Sequence, residues 1–236
     1  PSLKEETSFF KVRDRDADFN FIEEFIAIYK TGITEILNRQ GTVEQYINEI
    51  FWNHLSNSLN LWIDDSNRNP EEKQKSLLRY TLLHLQEYLD INSLGDLEKY
   101  HPAEFLITKP IKPNIFTGDI LEANDKTRSL ILTPACDINM TNGKRKADKI
   151  LTVNILNPNE IDPDYINPQM GRKKRDKISS ILKNSIPRYH CIPSSKDYNI
   201  GIIDFQDKET VDSKSVEKKI ENQKIERIAT ISHPFL

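Results

Sequence analysis

Residues 117–138 have the sequence TGDILEANDKTRSLILTPACDI. Two short apolar runs within it, GDILEA (118–123) and SLILT (129–133), are separated by the turn-forming pair Asn124-Asp125. Short runs rich in Ile, Leu and Thr and bounded by turn residues are typical of β-strands. The segment therefore predicts two adjacent strands joined at a hairpin tip.

More strand-like runs occur from residue 101 onward, where prolines become frequent. One helical pattern, about residues 175–184, interrupts them, and the basic run RKKR (172–175) precedes it. We therefore predict that residues 101–236 form a small, mainly antiparallel β-barrel or curled sheet with one inserted helix. The additional strands are expected at EFLIT (104–108), KILTVNIL (149–156), NIGIIDF (199–205) and IERIATI (225–231).

The first hundred residues have a different pattern. Apolar residues recur at helical spacing over residues 18–38 and 42–63, and Asn69-Pro70 has the signature of a third helix start. Thr42 and Gln45 have the spacing of a capping box. Amphipathic helices with short connections predict an N-terminal helical bundle over residues 1–100. The expected fold class is α+β, a helical bundle followed by a β-barrel.

Charge also divides the chain. Residues 1–100 carry 11 Lys/Arg against 18 Asp/Glu, whereas residues 101–236 carry 22 against 18. The net charge of −3 does not by itself call for a nucleic acid partner. The asymmetry is consistent with two modules.

Hydropathy and cysteine usage limit where in the cell the protein is expected. The mean hydropathy is −0.60, and no apolar run approaches the ~18–20 residues that cross a bilayer. A membrane is therefore not an expected partner. The two cysteines, Cys136 and Cys191, are too few for a disulfide framework and fit a reducing compartment, so a cytoplasmic location is expected.

A cysteine at a strand end is the first candidate for chemistry. Cys136 and Asp137 follow the strand that ends at Pro134, and a thiol there is a nucleophile if a nearby base lowers its pKa. The alternative is a buried Cys136 that packs as a small apolar group, with Asp137 capping a turn. Three further residues complete the candidate catalytic set: Arg188, His190 and Asp204. This hypothesis requires the Cys136 and His190 stretches to lie side by side in a cavity open to solvent.

Metal and cofactor sites are not expected. The sequence contains no CxxC or HxxxH pair, and it has no glycine-rich phosphate-binding motif.

Two basic stretches could contact phosphates. They are Lys144, Arg145 and Lys146, and the run Arg172, Lys173, Lys174 and Arg175. Basic clusters on the loops of a small barrel would suit RNA or single-stranded DNA. The alternative is a solvated surface, because lysine-rich loops are common in soluble proteins.

The motifs TGDI…LILTPACDI, RYHCIP, GIIDF and RIATISHPFL resemble the C-terminal region of bacterial response-receiver-domain proteins, which occur among two-component and phage-defence genes. The resemblance covers about residues 80–236 and implies an output or interaction module with a protein partner. No receiver domain is recognisable in this sequence. The matching residues are Thr133, Pro134, Cys136, Asp137, Arg188, Tyr189, His190 and Pro193.

The combination GDI…SLILTP is also similar to the PemK/MazF-like toxins, a family of barrels that cleave RNA. That similarity implies an alternative function as a ribonuclease-like toxin or an RNA- or DNA-binding barrel. In the nuclease hypothesis His190 is a general acid/base, Arg188 stabilises the phosphorane charge and Asp137 assists. In the leading hypothesis the corner around Cys136, Asp137 and His190 is instead a pocket that faces a ligand or partner.

Overall fold

The chain divides into two compact units, residues 1–98 and 99–236, each of which is described by itself. The computed structural model describes residues 20–33, 41–91, 94–97, 99–165, 169, 171–194 and 199–235.

Residues 99–236 are built on one seven-stranded sheet with the strand order β1-β7-β2-β3-β4-β6-β5, in which every neighbouring pair is antiparallel. The expected α+β class and antiparallel sheet are thus confirmed. The strands are β1 (Leu106–Thr108), β2 (Asp119–Ala123), β3 (Arg128–Ile131), β4 (Lys149–Leu156), β5 (Tyr189–Ile192), β6 (Gly201–Asp212) and β7 (Ile225–Ile231).

The hairpin expected from the opening segment is present. Ile120 of β2 pairs with Leu130 of β3. At the tip, Asp125 Oδ1 accepts hydrogen bonds from the backbone N–H and the hydroxyl of Thr127, at 3.0 and 2.6 Å. An Asp side chain that bonds the backbone two residues on is a standard way to stabilise a turn.

Helices accompany the sheet at several connections. The sequence predicted one at about residues 175–184 and indicated either an exposed connection or a short surface helix over residues 206–224. A 3₁₀ turn, Pro102–Phe105, precedes β1, and another, His233–Phe235, follows β7. The basic run 172–175 lies inside α7 and does not precede it. The α-helices in the described part of this unit are α5 (Ala135–Ile138), α6 (Pro158–Ile161), α7 (Arg172–Leu182) and α8 (Ser213–Glu221).

The sheet has an apolar core on each face. Fully burying an aliphatic side chain stabilises a fold by about 1.5–3 kcal/mol, so the two clusters together dominate the stability of this unit. One cluster comprises Phe105, Ile120, Leu130, Val153, Ile155, Ile192, Ile203, Ala229 and Ile231. The other includes Val216 of α8 and comprises Ile115, Leu121, Ile131, Ile138, Ile150 and Val216.

A buried ion pair ties β2 to β7. Asp119 is fully buried, and its Oδ2 lies 2.8 Å from Arg227 Nε and accepts the Phe116 N–H at 2.8 Å. The Thr230 hydroxyl donates to Asp119 Oδ1 at 2.6 Å, and Arg227 also donates to two carbonyl oxygens of the loop before Asn114. The aspartate of the TGDI segment is therefore held by structural contacts.

The sheet curls but does not close. β1 and β5 are its two edges, yet the Phe105 ring, next to β1, stacks on the His190 ring of β5 with centroids 5.7 Å apart. The edges therefore approach each other without strand pairing. The result is a half-barrel, which agrees with the curled sheet of the prediction and not with a closed barrel. We call the place where the two edges meet the seam.

In residues 1–98 the expected helices form, with corrections. The Asn69 start is confirmed: Asn69 Oδ1 accepts the Glu72 N–H at 2.9 Å, and Pro70 is the first helical residue. The prediction of a Thr42–Gln45 capping box is wrong. The N-cap is Gly41, which has no side chain to accept a hydrogen bond, and Thr42 is the first helical residue. The helices are α1 (Phe21–Lys30), α2 (Thr42–Asn53), α3 (Leu59–Ile63) and α4 (Pro70–Leu89), with a 3₁₀ turn at Leu55–Ser58.

A helical bundle is not shown in this unit. α2 contacts α4, and Tyr46 packs on Tyr88 with ring centroids 5.3 Å apart. On α1, however, Ile22 and Tyr29 are largely exposed. Residues 18, 19 and 34–38 of the predicted first helix lie outside the described part of the chain. None of the described helices has the length and apolar character needed to traverse a bilayer.

Candidate functional site

Cys136 and His190 do not share a pocket. Cys136 is exposed on α5, which directly follows β3. The end of β3 lies beside the start of β4, and the start of β4 in turn pairs with β6 around Val211. His190 instead pairs with Ile203 of β6. On β4, Ile155 and Ile150 are the partners of Ile203 and Val211, and about 17 Å of extended strand separates them. Cys136 and the neighbouring Asp137 therefore lie at the opposite end of the sheet from His190, and the expected juxtaposition is wrong.

Arg188 and Asp204 do meet, as an ion pair. Arg188 Nε donates to Asp204 Oδ1 at 2.8 Å and Nη2 donates to Oδ2 at 2.5 Å, which is a bidentate arrangement. Asp204 is buried and Arg188 is exposed. The hydrogen bonds from Arg188 lower the pKa of Asp204 and raise that of Arg188. The pair holds the start of β5 against β6.

His190 lies on the other face of the sheet from this pair. Asp204 is the register partner of Tyr189, so it shares the face of Tyr189. His190 is the next residue along the strand and points to the opposite face, with its partner Ile203 in the apolar core. Three of the five candidate residues thus lie near β5, but not in one site.

The basic residues do not form one surface. The 144–146 stretch precedes β4, and α7 lies after that strand ends, at the side of β5. Arg145 Nη2 lies 2.7 Å from Glu217 Oε1 as an ion pair without an aligned hydrogen bond, and Arg145 Nε donates to a backbone carbonyl. Lys174 Nζ lies 2.7 Å from both Asp162 and Asp164, and these contacts raise its pKa. The remaining members, Lys144, Lys146, Arg172, Lys173 and Arg175, are exposed.

A cavity of about 320 Å³ lies at the seam. Its volume is at the lower end of the range for small-ligand sites, about 300–1,000 Å³. No Asp, Glu, Lys or Arg is among the described residues that line it. They are Tyr100, His101, Pro102 and Phe105 from the β1 side, Leu182, Asn184, His190, Cys191 and Pro193 from the β5 side, and Phe235.

Four rings of the seam cavity contact one another in sequence. His190 stacks on Phe105 at 5.7 Å between centroids with an interplanar angle of 21°. Phe105 contacts Phe235 at 4.9 Å, and Phe235 contacts Tyr100 at 4.8 Å. Aromatic pairs at such distances stabilise by about 0.5–1.5 kcal/mol beyond the area that they bury. The chain of rings forms a continuous apolar wall that joins the two edges of the sheet.

Two polar side chains of the cavity accept hydrogen bonds from backbone N–H groups. His101 Nδ1 accepts the Ala103 N–H at 3.1 Å, where His101 caps the 3₁₀ turn. Asn184 Oδ1 accepts a hydrogen bond at 2.5 Å from the Cys191 N–H, which lies on the free edge of β5. His101 therefore carries its proton on Nε2 when neutral, and Asn184 retains its NH₂ group as a donor.

Burial favours the uncharged forms of His190 and Cys191 on β5. It lowers the pKa of His190 below its usual 6.5 and raises the pKa of the Cys191 thiol. A neutral imidazole and a protonated thiol are consistent with the uncharged lining. Among the described residues no group of His, Cys, Asp and Glu side chains is arranged to hold a metal ion.

We expect the His190 imidazole to titrate below pH 6.5 in the folded chain, because burial penalises its charged form. A histidine with a lowered folded pKa binds its proton more readily when unfolded, so its stabilising contribution is present above about pH 6.5 and is lost as the pH falls through the folded value. Two-dimensional NMR of the imidazole protons, with His190→Gln to assign the resonance, measures the pKa. A value at or above 6.5 would contradict the burial described here.

The sequence did not single out most of the seam cavity. Tyr100, Phe105 and Phe235 are ordinary aromatic residues in the sequence, and only the curl of the sheet brings them together. His101 had a detectable signal, since a residue before Pro102 with Glu104 three positions later has the spacing of a capped turn. His190 was predicted, but with the wrong neighbours.

Comparison with known proteins found no match. No family model, no curated protein and no solved structure matches the chain.

Proposed function

We propose that residues 99–236 are an interaction module that takes an uncharged apolar segment of a partner protein into the seam cavity. The observation that carries this proposal is the cavity itself, an opening of about 320 Å³ with an aromatic wall and no Asp, Glu, Lys or Arg among its described lining residues. An apolar pocket with a few convergent polar groups is the usual form of a recognition site.

The partner contributes apolar surface that the seam leaves uncovered. Phe105 is buried, whereas His190 and Phe235 on either side of it are only half-buried. An inserted side chain would complete the burial of these rings at roughly 25 cal/mol per Å² of apolar area, less the cost of ordering the partner. The role in a signalling or defence protein that the resemblance implies stays a prediction.

The nuclease alternative has no comparable support. It needs His190, Arg188 and Asp137 around one phosphate. Arg188 is paired with Asp204 on one face of β5, His190 is on the other face, and Asp137 lies at the far end of the sheet. At least three of the seven basic candidates, Arg145, Arg172 and Lys174, are also engaged in ion pairs within the chain.

Filling the cavity tests the proposal. Peptides are selected from a random displayed library on the immobilised full chain, and their affinity is then measured by fluorescence anisotropy for Leu182→Trp. Leu182 is a half-buried lining residue, and the larger indole occupies the cavity. We expect at least a tenfold loss of affinity, about 1.4 kcal/mol.

Leu83→Trp is the matched control, because Leu83 is 52% exposed on α4 in the other unit. It should bind the selected peptides as the unmodified chain does. If the library yields no binder, or if the selected peptides bind Leu182→Trp with unchanged affinity, the seam cavity is not the interaction site.

A further inference from the structure

Helix α4 of residues 1–98 has two apolar faces, and the first of them packs within the chain. Tyr80 lies 5.5 Å from Trp62 of α3, and Tyr88 lies 5.3 Å from Tyr46 of α2, measured between ring centroids. These two tyrosines are separated by two helical turns and project from the same side of α4. This face therefore holds α4 against the other helices of its unit.

The second face of α4 is a row of four leucines with the spacing of a coiled-coil seam. They are separated by four, three and four residues, as positions d, a, d and a of a heptad repeat are. At 3.6 residues per turn the row lies roughly a third of a turn from the face that carries Tyr80 and Tyr88. We call it the leucine row, and its members are Leu78, Leu82, Leu85 and Leu89.

Most of the leucine row is in contact with water in the single chain. Leu78, Leu82 and Leu89 are 58%, 53% and 50% exposed. Leu85, the remaining member, is half-buried. Apolar surface in water is unfavourable, and a contiguous apolar patch on a folded chain marks an interaction surface. The heptad spacing indicates that the occupant of this surface is another helix.

We propose that the leucine row pairs with the same row of a second copy of this chain, with the two α4 helices antiparallel. Leucines at heptad spacing interdigitate with the same pattern on a facing helix, so the row is complementary to itself. A twofold axis between Leu82 and Leu85 closes the pair symmetrically. It sets Leu82 against Leu85 of the partner subunit and Leu78 against Leu89 of the partner subunit.

Charges next to the leucine row favour the antiparallel orientation. Glu71 and Lys75 occupy the d and a positions that precede the row. A parallel pair would place each of them directly opposite its own copy, where like charges repel. In the antiparallel pair Arg79, which flanks the row, instead lies within a turn of Asp90 of the partner subunit. The two ends of the row are thus complementary in charge only when the helices run in opposite directions.

The test is sedimentation equilibrium of the full chain, which distinguishes 27.5 kDa from twice that mass. One helix pair buries less than the roughly 1,600 Å² of a standard interface, so we expect a dissociation constant in the micromolar range. Leu82→Glu puts a carboxylate at the centre of each row and should weaken dimerisation at least a hundredfold. Melting temperatures show whether the variant is folded.

Leu83→Glu is the matched control for this substitution. Leu83 is 52% exposed, which is close to the exposure of Leu82, and it adjoins that residue on the same helix. It lies roughly a third of a turn away from the leucine row. The dissociation constant of Leu83→Glu should therefore equal that of the unmodified chain.

Disulfide trapping tests the orientation of the two helices. Leu78→Cys and Leu89→Cys are prepared with the exposed native cysteine replaced as Cys136→Ser. In the antiparallel pair a mixture of the two variants forms an intermolecular disulfide under mild oxidation. Neither variant does so by itself, because the two copies of position 78 are about 16 Å apart along the helix axes.

Three results would overturn the proposal. If the chain sediments as a monomer at hundreds of micromolar, or if Leu82→Glu dimerises as the unmodified chain does, the leucine row does not pair with a second copy. If Leu83→Glu disrupts the dimer as strongly as Leu82→Glu, the interface is not the leucine row. If each cysteine variant forms an intermolecular disulfide by itself, the antiparallel arrangement is wrong.

Discussion

Replacing Asp119 with alanine is expected to destabilise the chain by about 3–5 kcal/mol, the usual cost of removing one partner from a buried ion pair. Asp119 is fully buried and receives hydrogen bonds from Arg227 Nε, the Thr230 hydroxyl and the Phe116 N–H. The substitution leaves a guanidinium with little solvent access and two other donors without their acceptor. Urea unfolding followed by circular dichroism measures the change in the free energy of unfolding.

Asp207→Ala is the matched control for this experiment. Asp207 is exposed on β6, and its Oδ2 accepts one hydrogen bond from the Asn154 amide at 2.9 Å. An exposed contact of this kind contributes within about 0.5 kcal/mol. If the two variants lose similar stability, the Asp119–Arg227 pair does not hold β2 and β7 together as described.

Replacing Phe105 with alanine should cost about 3–5 kcal/mol, the range for removing a buried aromatic side chain. Phe105 is 7% exposed and belongs to the apolar core, and its ring contacts both His190 and Phe235. Its loss therefore opens the core and removes the ring that joins the two edges of the sheet. The free energy of unfolding is measured as for Asp119.

Phe205→Ala removes the same side chain from β6, where Phe205 is 40% exposed. We expect a loss below about 1.5 kcal/mol, since much of that ring already contacts water. A Phe105→Ala variant as stable as Phe205→Ala would show that the seam is not closed by this ring.

Strand positions were predictable from composition, but their lengths were not. KILTVNIL and IERIATI coincide with β4 and β7, because runs of β-branched residues bounded by polar ones identify a half-buried strand. β6 continues to Asp212 through the polar stretch QDKETVD, which has no strand signal. It is extended there because the start of β4 pairs with it, from Lys149 opposite Asp212 onward.

The site was predicted only in part, for a related reason. Arg188 and His190 are two residues apart, a spacing that strand alternation would put on one face. Arg188 precedes β5, however, and its ion pair with Asp204 holds its guanidinium on the face of Tyr189. Cys136 follows β3 and His190 lies on β5, two strands that β4 and β6 separate, and no local pattern contains the strand order. Residue identity therefore indicated which side chains could take part in chemistry or binding, and the pairing of distant strands determined which of them lie together.

The position of β7 has a consequence for how the protein is made. Among the strands that the structure describes, β1 pairs only with β7. Leu106 therefore finds its partner, Ile231, only after a ribosome has added the other six described strands. β2 through β6 can pair as soon as they emerge, whereas the first strand stays unpaired during synthesis. Pairings between distant positions form slowly, and exposed edges invite aggregation. Nascent chains of this protein are thus expected to depend on chaperones until translation reaches the last strand.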